Sequence, residues 1–281
     1  LSQFERSVAA DDVRLAYVSG LTGFALGRVG RDDEARTLLQ DTLVWSEHVF
    51  GDHHPELAGV LEDLALEECL LGDPERAIVL ADRGRALLVA AFGPDDRRLA
   101  TLWQAIGRGE SLAGRHARAI AAMTEAVRLA ASADPGDPAH ADALVQLAGA
   151  HAAAGQDDVA LTHLRAAVAI VEAALGTRDI RLAQPLTRLG AAQLVRGETD
   201  DAIAALGRAE ALHTLHTETP LGAAETRFTL ARALWAGGRA PTRALALASA
   251  AAGAYAAGGA AHAAAHVEVA TWLAARARPD R

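Results

Sequence analysis

Apolar residues recur at helical spacing along the chain, and no window shows the apolar-polar alternation of a half-buried strand. In one representative stretch Leu57, Leu61 and Leu64 fall on one face of a helix, and Ala77 and Leu80 begin a second stripe on the next helix. Neither helix can bury its stripe alone, so the pattern predicts pairs of helices that stack on their neighbours. We therefore expect an all-α fold.

Glycines that close the helical stripes recur at a nearly constant interval, with successive separations of 42, 42, 41, 42 and 41 residues. An alanine lies five residues after each of the first five glycines and six residues after the sixth, and another lies 14 residues before each of the first five. Markers that stay in phase over so many units predict a solenoid of helical hairpins rather than separate globular domains. The glycines are Gly30, Gly72, Gly114, Gly155, Gly197 and Gly238, and the alanines that follow them are Ala35, Ala77, Ala119, Ala160, Ala202 and Ala244.

Each marker has a physical reason. A glycine after the first helix of a unit tolerates the left-handed backbone conformation that ends many helices. The residues that follow it are typical helix starters, as at Asp32, Asp73-Pro74, Asp157 and Thr199, and we expect their short side chains to cap free N–H groups. The alanine then lies one turn into the second helix, where a larger side chain would push the two helices apart.

The stretch from Phe50 to Leu88 carries the pattern most clearly and reads FGDHHPELAGVLEDLALEECLLGDPERAIVLADRGRALL. It resembles the tetratricopeptide repeat, in the 42-residue variety of kinesin light chains, and the turns at 50–55 and 92–96 resemble that family's Gly-x-x-His-Pro linker. The resemblance covers about residues 11–257. It implies a right-handed superhelical α-solenoid of about six helical hairpins plus a C-terminal capping helix. The chain is also similar to the C-terminal repeat arrays of large bacterial Ser/Thr kinases, although no kinase motif occurs in it.

The spacing of the markers predicts a single solenoid over residues 1–281. The predicted segments are a remnant of a preceding helix at 1–10, repeat 1 at 11–53, repeat 2 at 54–94, repeat 3 at 95–136, repeat 4 at 137–178, repeat 5 at 179–218, repeat 6 at 219–257, and a capping helix with its tail at 258–281. Because the chain begins with Leu1 rather than methionine, we interpret it as a piece of a longer protein.

Charge and composition argue against several classes of function. The net charge is −9 at pH 7 and no basic patch stands out, so a nucleic-acid partner is not expected. The longest uncharged stretch, 244–267, is mostly alanine and glycine and is too weakly apolar for a membrane span. Cys69 is the only cysteine, so an internal disulfide cannot form, and we expect a reducing, cytoplasmic setting. Its neighbouring glutamates would raise the pKa of its thiol, which favours a packed, inert side chain over a nucleophile.

No motif for a catalytic nucleophile, a phosphate-binding loop or a metalloprotease is present, and we predict neither enzymatic activity nor a cofactor. Two histidine pairs are the candidates for a metal site: His262 and His266 share a helix face, and His213 and His216 lie three residues apart. The next ligand near the first pair, Glu268, lies on a different face of the same helix. Ordinary surface histidines are therefore the alternative interpretation.

In the family that this chain resembles, the first helix of each repeat lines a concave groove in which peptides usually bind. Arg108, Arg188 and Arg232 are the candidates to hold a carboxylate, because arginine presents a bidentate fork. Phe228 and Trp235 are the candidate apolar anchors. The alternatives are a solvated helix surface for the arginines and packing against the capping helix for the two aromatic residues. The resemblance places Glu62, Gln104, Arg108, Asp142, Thr187, Arg188, Phe228, Arg232 and Trp235 in the groove, with Leu66, Cys69, Thr101, Leu112, Val145, Gly149, Gln184, Ala191, Leu194 and Glu225 beside them.

Four functions remain open at this point. The first, which we predict, is a protein- or peptide-binding scaffold that serves as the regulatory or interaction region of a larger bacterial signalling protein such as a Ser/Thr kinase. The second is a ligand- or signal-peptide-sensing domain of a transcriptional regulator or other effector. The third is a metal protein or enzyme at the C-terminal histidines, and the fourth is self-association through exposed terminal hairpins. Binding of chaperone C-terminal tails is not supported, because the chain has no lysine for a Lys/Asn carboxylate clamp.

Overall fold

The computed structural model of the chain describes residues 18–23, 26, 31–217, 219–259 and 262–276. Within these residues the regular secondary structure is helical and contains no strand, which confirms the predicted all-α fold class. None of the helices described there combines the length and the hydropathy that a membrane span requires. The predicted helix remnant at 1–10 and the first repeat glycine, Gly30, lie outside the described residues.

Contacts along the chain separate two compact units, Leu1–Pro135 (unit 1) and Gly136–Arg281 (unit 2). In unit 1, helical residues 18–23 precede α1 (Asp32–Phe50), α2 (Leu57–Leu70), α3 (Pro74–Phe92), α4 (Leu99–Leu112) and α5 (His116–Ala133). In unit 2 the elements are α6 (Pro138–Ala153), α7 (Asp157–Leu175), a 3₁₀ turn (Ile180–Leu182), α8 (Ala183–Val195), α9 (Thr199–Leu215), α10 (Ala224–Ala236), α11 (Pro241–Ala257) and α12 (Ala263–Arg276).

Each unit is built of helical hairpins. In unit 1, α2 packs against α3 and α4 packs against α5; in unit 2, α6 packs against α7, α8 against α9, and α10 against α11. The even-numbered helices from α2 to α10 are therefore the first helices of their hairpins, and the odd-numbered helices from α3 to α11 are the second helices. Neighbouring first helices also touch within a unit, as α2 does with α4 and α8 does with α10.

The repeat glycines end the first helices, as their spacing predicts. Gly72, Gly114, Gly155, Gly197 and Gly238 have φ between +63° and +80°, a conformation that only glycine adopts at little cost. In each turn the next residue donates its N–H to a carbonyl in the last turn of the first helix, at 2.8–2.9 Å. The alanines that follow these glycines on the second helices are completely buried, which confirms the tight seam predicted for them.

Helix starts agree with the sequence prediction only in part. Asp73 caps its helix as predicted, through a side-chain oxygen that accepts an N–H bond from the first turn at 3.1 Å. Asp137, which precedes Pro138 in the same way, caps α6 at 2.8 Å. The capping prediction is wrong for Asp32, Asp157 and Thr199, because each is already the first helical residue and the position before it makes no side-chain cap. The two aspartates still lie in the first turn, where a negative charge is favourable next to the helix dipole.

Ion pairs join the start of a second helix to the turn of the next hairpin. An acidic residue three positions after one repeat glycine pairs with an arginine next to the following repeat glycine. Such pairs are largely exposed, so each contributes at most about 1 kcal/mol, but their recurrence shows that these hairpins meet in the same way. The pairs are Glu75–Arg115 in unit 1, and Asp158–Arg196 and Asp200–Arg239 in unit 2.

Helix α12 follows the last hairpin of unit 2 and packs against α11. Val269 of α12 is buried. Trp272 of the same helix lies nearly perpendicular to Phe228 and Trp235, with ring centroids 5.8 Å from each. Aromatic contacts therefore connect α12 to α10, which is the first helix of the last hairpin.

Candidate functional site

The first helices of each unit present one exposed or half-buried side, which we call the first-helix face. Its positions lie 13, 9, 6 and 2 residues before the repeat glycine and so recur at helical spacing. In unit 1 the face consists of Gly59, Asp63, Leu66 and Leu70 of α2 and Thr101, Arg108 and Leu112 of α4. In unit 2 it consists of Asp142, Gln146, Gly149 and Ala153 of α6, Gln184, Arg188, Ala191 and Val195 of α8, and Glu225, Arg232 and Ala236 of α10.

Residues 10 and 3 positions before the repeat glycine are more deeply covered. Thr187 and Phe228, at the first of these positions, are buried, and Glu62 and Gln104 are half-buried. Trp235, at the second position, is half-buried in the core cluster of unit 2. Of the nine main groove candidates, Arg108, Asp142, Arg188 and Arg232 lie on the first-helix face. So do seven of the residues expected beside them, namely Leu66, Thr101, Leu112, Gly149, Gln184, Ala191 and Glu225.

Sequence reasoning missed several positions of this face, some half-buried and some exposed. Asp63 and Gln146 lie nine residues before a repeat glycine, and Leu70 and Val195 lie two residues before one. A shift of one residue rotates a side chain by about 100° around the helix, which is enough to move it from a helix contact to solvent. The mainly apolar stripe of buried residues on each first helix was the available signal for the correct rotation.

In unit 1 two adjacent carboxyl groups of α2 have raised pKa values. Burial raises the pKa of Asp63 to about 6, and its carboxyl group packs against Gly20. The pKa of Glu62 is also raised, mainly by burial, although a hydrogen bond that Thr101 Oγ1 donates to its Oε2 at 2.6 Å opposes the shift. This bond links α2 to α4, so Glu62 contributes to helix packing.

Arg108 lies on the same face of unit 1 among exposed aliphatic side chains. Leu112, one helical turn further along α4, is 55% exposed, and Leu70 of α2 is 63% exposed. Arg108 forms no hydrogen bond or ion pair with any residue in the described part of the chain. Its charge reaches Cys69, where it partly opposes the rise in the pKa of the thiol that burial causes. Unit 1 therefore presents an unpaired guanidinium next to apolar surface.

In unit 2 a cavity of about 110 Å³ opens between α8 and α10. Arg188 and Glu225 are half-exposed at its opening, with Arg188 Nη1 3.2 Å from Glu225 Oε1. Thr187, Thr226 and His213 form its floor and are each at least nine-tenths buried. The complete lining is Gln184, Thr187, Arg188, His213, Gly222, Glu225 and Thr226.

The buried side chains of the floor form a directed chain of hydrogen bonds. Thr187 Oγ1 donates to the carbonyl of Ala183 at 2.7 Å, so its oxygen accepts the proton of Thr226 Oγ1, also at 2.7 Å. Thr226 Oγ1 in turn accepts from His213 Nε2, which lies 3.1 Å away. The chain therefore assigns a proton to Nε2 of the imidazole.

Aromatic side chains and arginines meet at the end of unit 2. Phe228 is 6% exposed and packs against Trp272, so it belongs to the core rather than to the surface. The guanidinium of Arg232 lies 5.8 Å from the centre of the Phe228 ring, and that of Arg276 lies 4.1 Å from the Trp272 ring. Arg232 is exposed and, like Arg108, has no hydrogen bond or ion pair with a described residue.

The histidines that the sequence marks as candidate ligands make other contacts. His266 Nδ1 donates to a carbonyl of α11 at 3.0 Å, and His262 stacks on Tyr255. His216 Nε2 donates to the carbonyl of Arg178 at 2.8 Å. Over the residues that the structure describes, no three His, Cys, Asp or Glu side chains are grouped so as to hold a metal ion.

Comparison of sequences finds one family. The pattern of the Tetratricopeptide repeat family matches residues 23–56 and 140–180. The first segment falls in unit 1 and the second in unit 2. No curated protein sequence matches the chain.

Several solved structures have a similar fold. A Rap protein complexed with Competence and Sporulation Factor gives a TM-score of 0.68 at 14% identity, over 98% of this chain and 79% of its own. BtubC (BKLC) from P. vanneervenii gives 0.61 at 14% identity, over 90% of this chain and 94% of its own. A Podosopora anserina protein with nearly identical TPR-like repeats, assigned as a kinesin light chain, gives 0.59 at 21% identity, over 73% of this chain and 98% of its own. At these identities the likeness concerns the fold.

Proposed function

We propose that this chain, which is built of tetratricopeptide repeats, is a protein- or peptide-binding scaffold without catalytic activity of its own. Its ligand is a segment of another protein, held on the first-helix face of a unit. The wider proposal is that the chain is the regulatory or interaction region of a larger bacterial signalling protein in the cytoplasm, such as a Ser/Thr kinase. We name this context because residues 227–259 resemble the closing segment of repeat arrays that follow kinase domains.

Two unpaired arginines carry the proposal. Arg108 in unit 1 and Arg232 in unit 2 both lie six residues before a repeat glycine, and neither has a hydrogen bond or ion pair with a described residue. Three arginines of second helices differ, because Arg83, Arg128 and Arg208 each pair with a carboxylate that lies before their own hairpin in the chain. The guanidinium groups of Arg108 and Arg232 are therefore available to an acceptor on a partner.

The surroundings of these arginines indicate the chemistry of the partner. An exposed guanidinium without an internal acceptor can bind a carboxylate through two parallel N–H bonds. In unit 1, Leu70 and Leu112 add exposed aliphatic surface to the face that carries Arg108. A partner segment with an acidic residue next to aliphatic side chains would satisfy both features.

Peptide selection followed by titration tests the proposal. A random-peptide display library selects segments that bind the folded chain, and isothermal titration measures the affinity of the best one for the wild type and for Arg108→Gln and Arg232→Gln. The substitution at the arginine that holds the peptide should weaken binding roughly tenfold to a hundredfold, since a hydrogen bond to a charged group contributes about 1.5–3 kcal/mol.

Arg243→Gln is the matched control, because it removes an exposed arginine that also lacks a hydrogen bond or ion pair with a described residue, at the start of α11 and outside the first-helix face. It should leave the affinity unchanged. A variant with both Arg108→Gln and Arg232→Gln completes the set. If the folded chain retains no peptide above background, or if this double variant binds the peptide as tightly as the wild type does, the proposal is wrong.

The cavity in unit 2 favours a second candidate function, the sensing of a ligand or signal peptide for an attached transcriptional regulator or other effector. The Rap protein that shares this fold was solved in complex with Competence and Sporulation Factor. A sensor changes its arrangement when it binds, whereas a static scaffold does not. A ligand-dependent change in scattering radius at constant helicity would support sensing, and an unchanged radius at saturation would exclude it.

A further inference from the structure

We propose that the unit 2 cavity binds a primary carboxamide, the group that ends an asparagine or glutamine side chain. This inference rests on the proposed function, because the side chain that carries the carboxamide would belong to the bound partner segment. The charge, the hydrogen-bonding groups and the size of the cavity each favour such a guest.

The opening of the cavity carries one positive and one negative group that neutralise each other. Arg188 Nη1 lies 3.2 Å from Glu225 Oε1, within ion-pair distance. A negatively charged guest would be repelled by Glu225, and a positively charged one by Arg188, so either would have to displace part of the existing pair. An uncharged polar guest leaves the pair intact and is preferred for that reason.

The same opening offers both hydrogen-bond donors and acceptors. The guanidinium of Arg188 donates, the carboxylate of Glu225 accepts, and the amide of Gln184 does both. A carboxamide is complementary to this set, because its carbonyl can accept from Arg188 while its NH₂ group donates to Glu225. A carboxylate lacks the donor, and an ammonium group lacks the acceptor.

The floor of the cavity adds a further preference. Thr187 uses its hydroxyl proton on the Ala183 carbonyl, and Thr226 uses its own on Thr187. These hydroxyl groups therefore offer a guest no proton, but the oxygen of Thr226 retains acceptor capacity beyond the bond from His213. The floor can receive an N–H of a carboxamide and gives nothing to a carboxylate.

The size of the cavity limits how much of a partner can enter. A volume of about 110 Å³ corresponds to roughly three to four water molecules at about 30 Å³ each. This is room for the end of one side chain. The remainder of the segment would stay outside, on the first-helix face.

Acetamide tests the inference, because it carries the carboxamide without a peptide backbone. An NMR titration of the whole chain follows the C–H resonances of the His213 imidazole at the cavity floor, with acetate and methylammonium as charged comparators of similar size. We expect saturable shifts with acetamide, at a dissociation constant at least about tenfold lower than for either ion. Equal or tighter binding of acetate, or shifts that saturate with none of the three, overturns the inference.

A substitution at the opening gives a second measurement. Glu225→Gln removes the negative charge at constant size, so the preference should move from acetamide toward acetate. Glu268→Gln makes the same substitution at an exposed carboxylate of α12 that does not line the cavity, so it is the matched control and should change none of the three affinities. An unaltered preference in Glu225→Gln also overturns the inference.

The two proposals fail separately. Acetamide binding requires no partner segment, so its absence leaves peptide binding by the arginines untouched. Conversely, if the display library yields no binding peptide, the ranking of the dissociation constants for acetamide, acetate and methylammonium is unaffected.

Discussion

The hydroxyl oxygens of Thr187 and Thr226 lie 2.7 Å apart, although 39 positions separate the two residues in the chain. Their hydrogen bond joins α8 to α10, and His213 of α9 extends it through Nε2. One buried polar cluster therefore connects three consecutive helices of unit 2 and forms the floor of its cavity. Polar groups in such a position stabilise a fold only while every partner is present.

Thr226→Val replaces the central hydroxyl of this cluster with a methyl group of similar shape. We expect it to destabilise unit 2 by about 1–3 kcal/mol, because a buried N–H of His213 and the oxygen of Thr187 lose their partner. Urea unfolding followed by circular dichroism measures the change. Thr226→Ser keeps the hydroxyl and should recover most of the loss; equal destabilisation in both variants would show that the hydroxyl is not responsible.

Buried carboxyl groups on α2 should make unit 1 more stable in mild acid. Burial raises the pKa of Glu67 to about 7, with the carboxylates of Asp32 and Glu68 adding to the rise, and burial raises the pKa of Asp63 to about 6. The ordinary values are 4.5 and 3.8, so the folded state binds more protons than the unfolded state between these limits. Stability therefore rises as the pH falls through about 7 toward about 5.

Hydrogen exchange can follow this effect locally. The protection of the amides of α2, corrected for intrinsic exchange, should increase by at least about tenfold over this pH range, because the folded-state pKa of Glu67 alone lies more than one unit above its ordinary value. Helix α8, which contains no carboxyl group, is the internal reference. Glu67→Gln should show higher protection at neutral pH and a weaker dependence on pH, whereas protection that falls in acid would contradict the assignment.

The seam inside each hairpin should not accept a larger side chain. Ala202 is completely buried, whereas Ala204, two residues further along α9, is exposed. Ala202→Leu is expected to destabilise unit 2 by about 1–3 kcal/mol through overpacking. Ala204→Leu adds the same atoms where they meet solvent and should change stability by less than about 0.5 kcal/mol. The difference between the two urea midpoints is the measurement, and equal midpoints would refute a tight seam.

Substituting alanine for glycine at two helical positions in unit 2 should change the stability of the unit in opposite directions. A methyl group at Gly190 would lie 2.5 Å from Leu206 Cγ, whereas one at Gly207 would have no neighbouring atom within 4 Å. Gly190→Ala is therefore expected to lower stability by about 1–3 kcal/mol. Gly207→Ala should raise it by about 0.5–1 kcal/mol, because alanine favours the helix. Thermal unfolding of the two variants gives the signs directly.

The hairpins could be predicted from the sequence because each marker depends on a single local requirement. Gly72 and its counterparts must adopt positive φ, and Ala77 and its counterparts must leave room for a neighbouring helix. Such requirements appear as residue identities at fixed intervals. Helix caps were less predictable, since Asp32 and Asp157 satisfy the helix dipole from inside the first turn as well as a cap would.

The candidate site could be predicted only in part, because its exposure depends on side chains from the next repeat. Thr187 was expected in the groove, but the hydroxyl of Thr226 on α10 reaches it and both are buried. Arg188, the next residue, faces solvent. His213 reads in the sequence as half of a histidine pair, and only the packing of α9 against α10 brings it beneath the cavity.

In unit 2 the main contacts join a helix to the next or next but one along the chain, and the ion pairs Asp158–Arg196 and Asp200–Arg239 each span a single joint. Among the described residues of this unit, a mechanical load on its ends would therefore pass mainly through successive joints in series. The weakest joint would yield first and release one hairpin while the others hold. Under tension the unit would lengthen in steps rather than rupture at once.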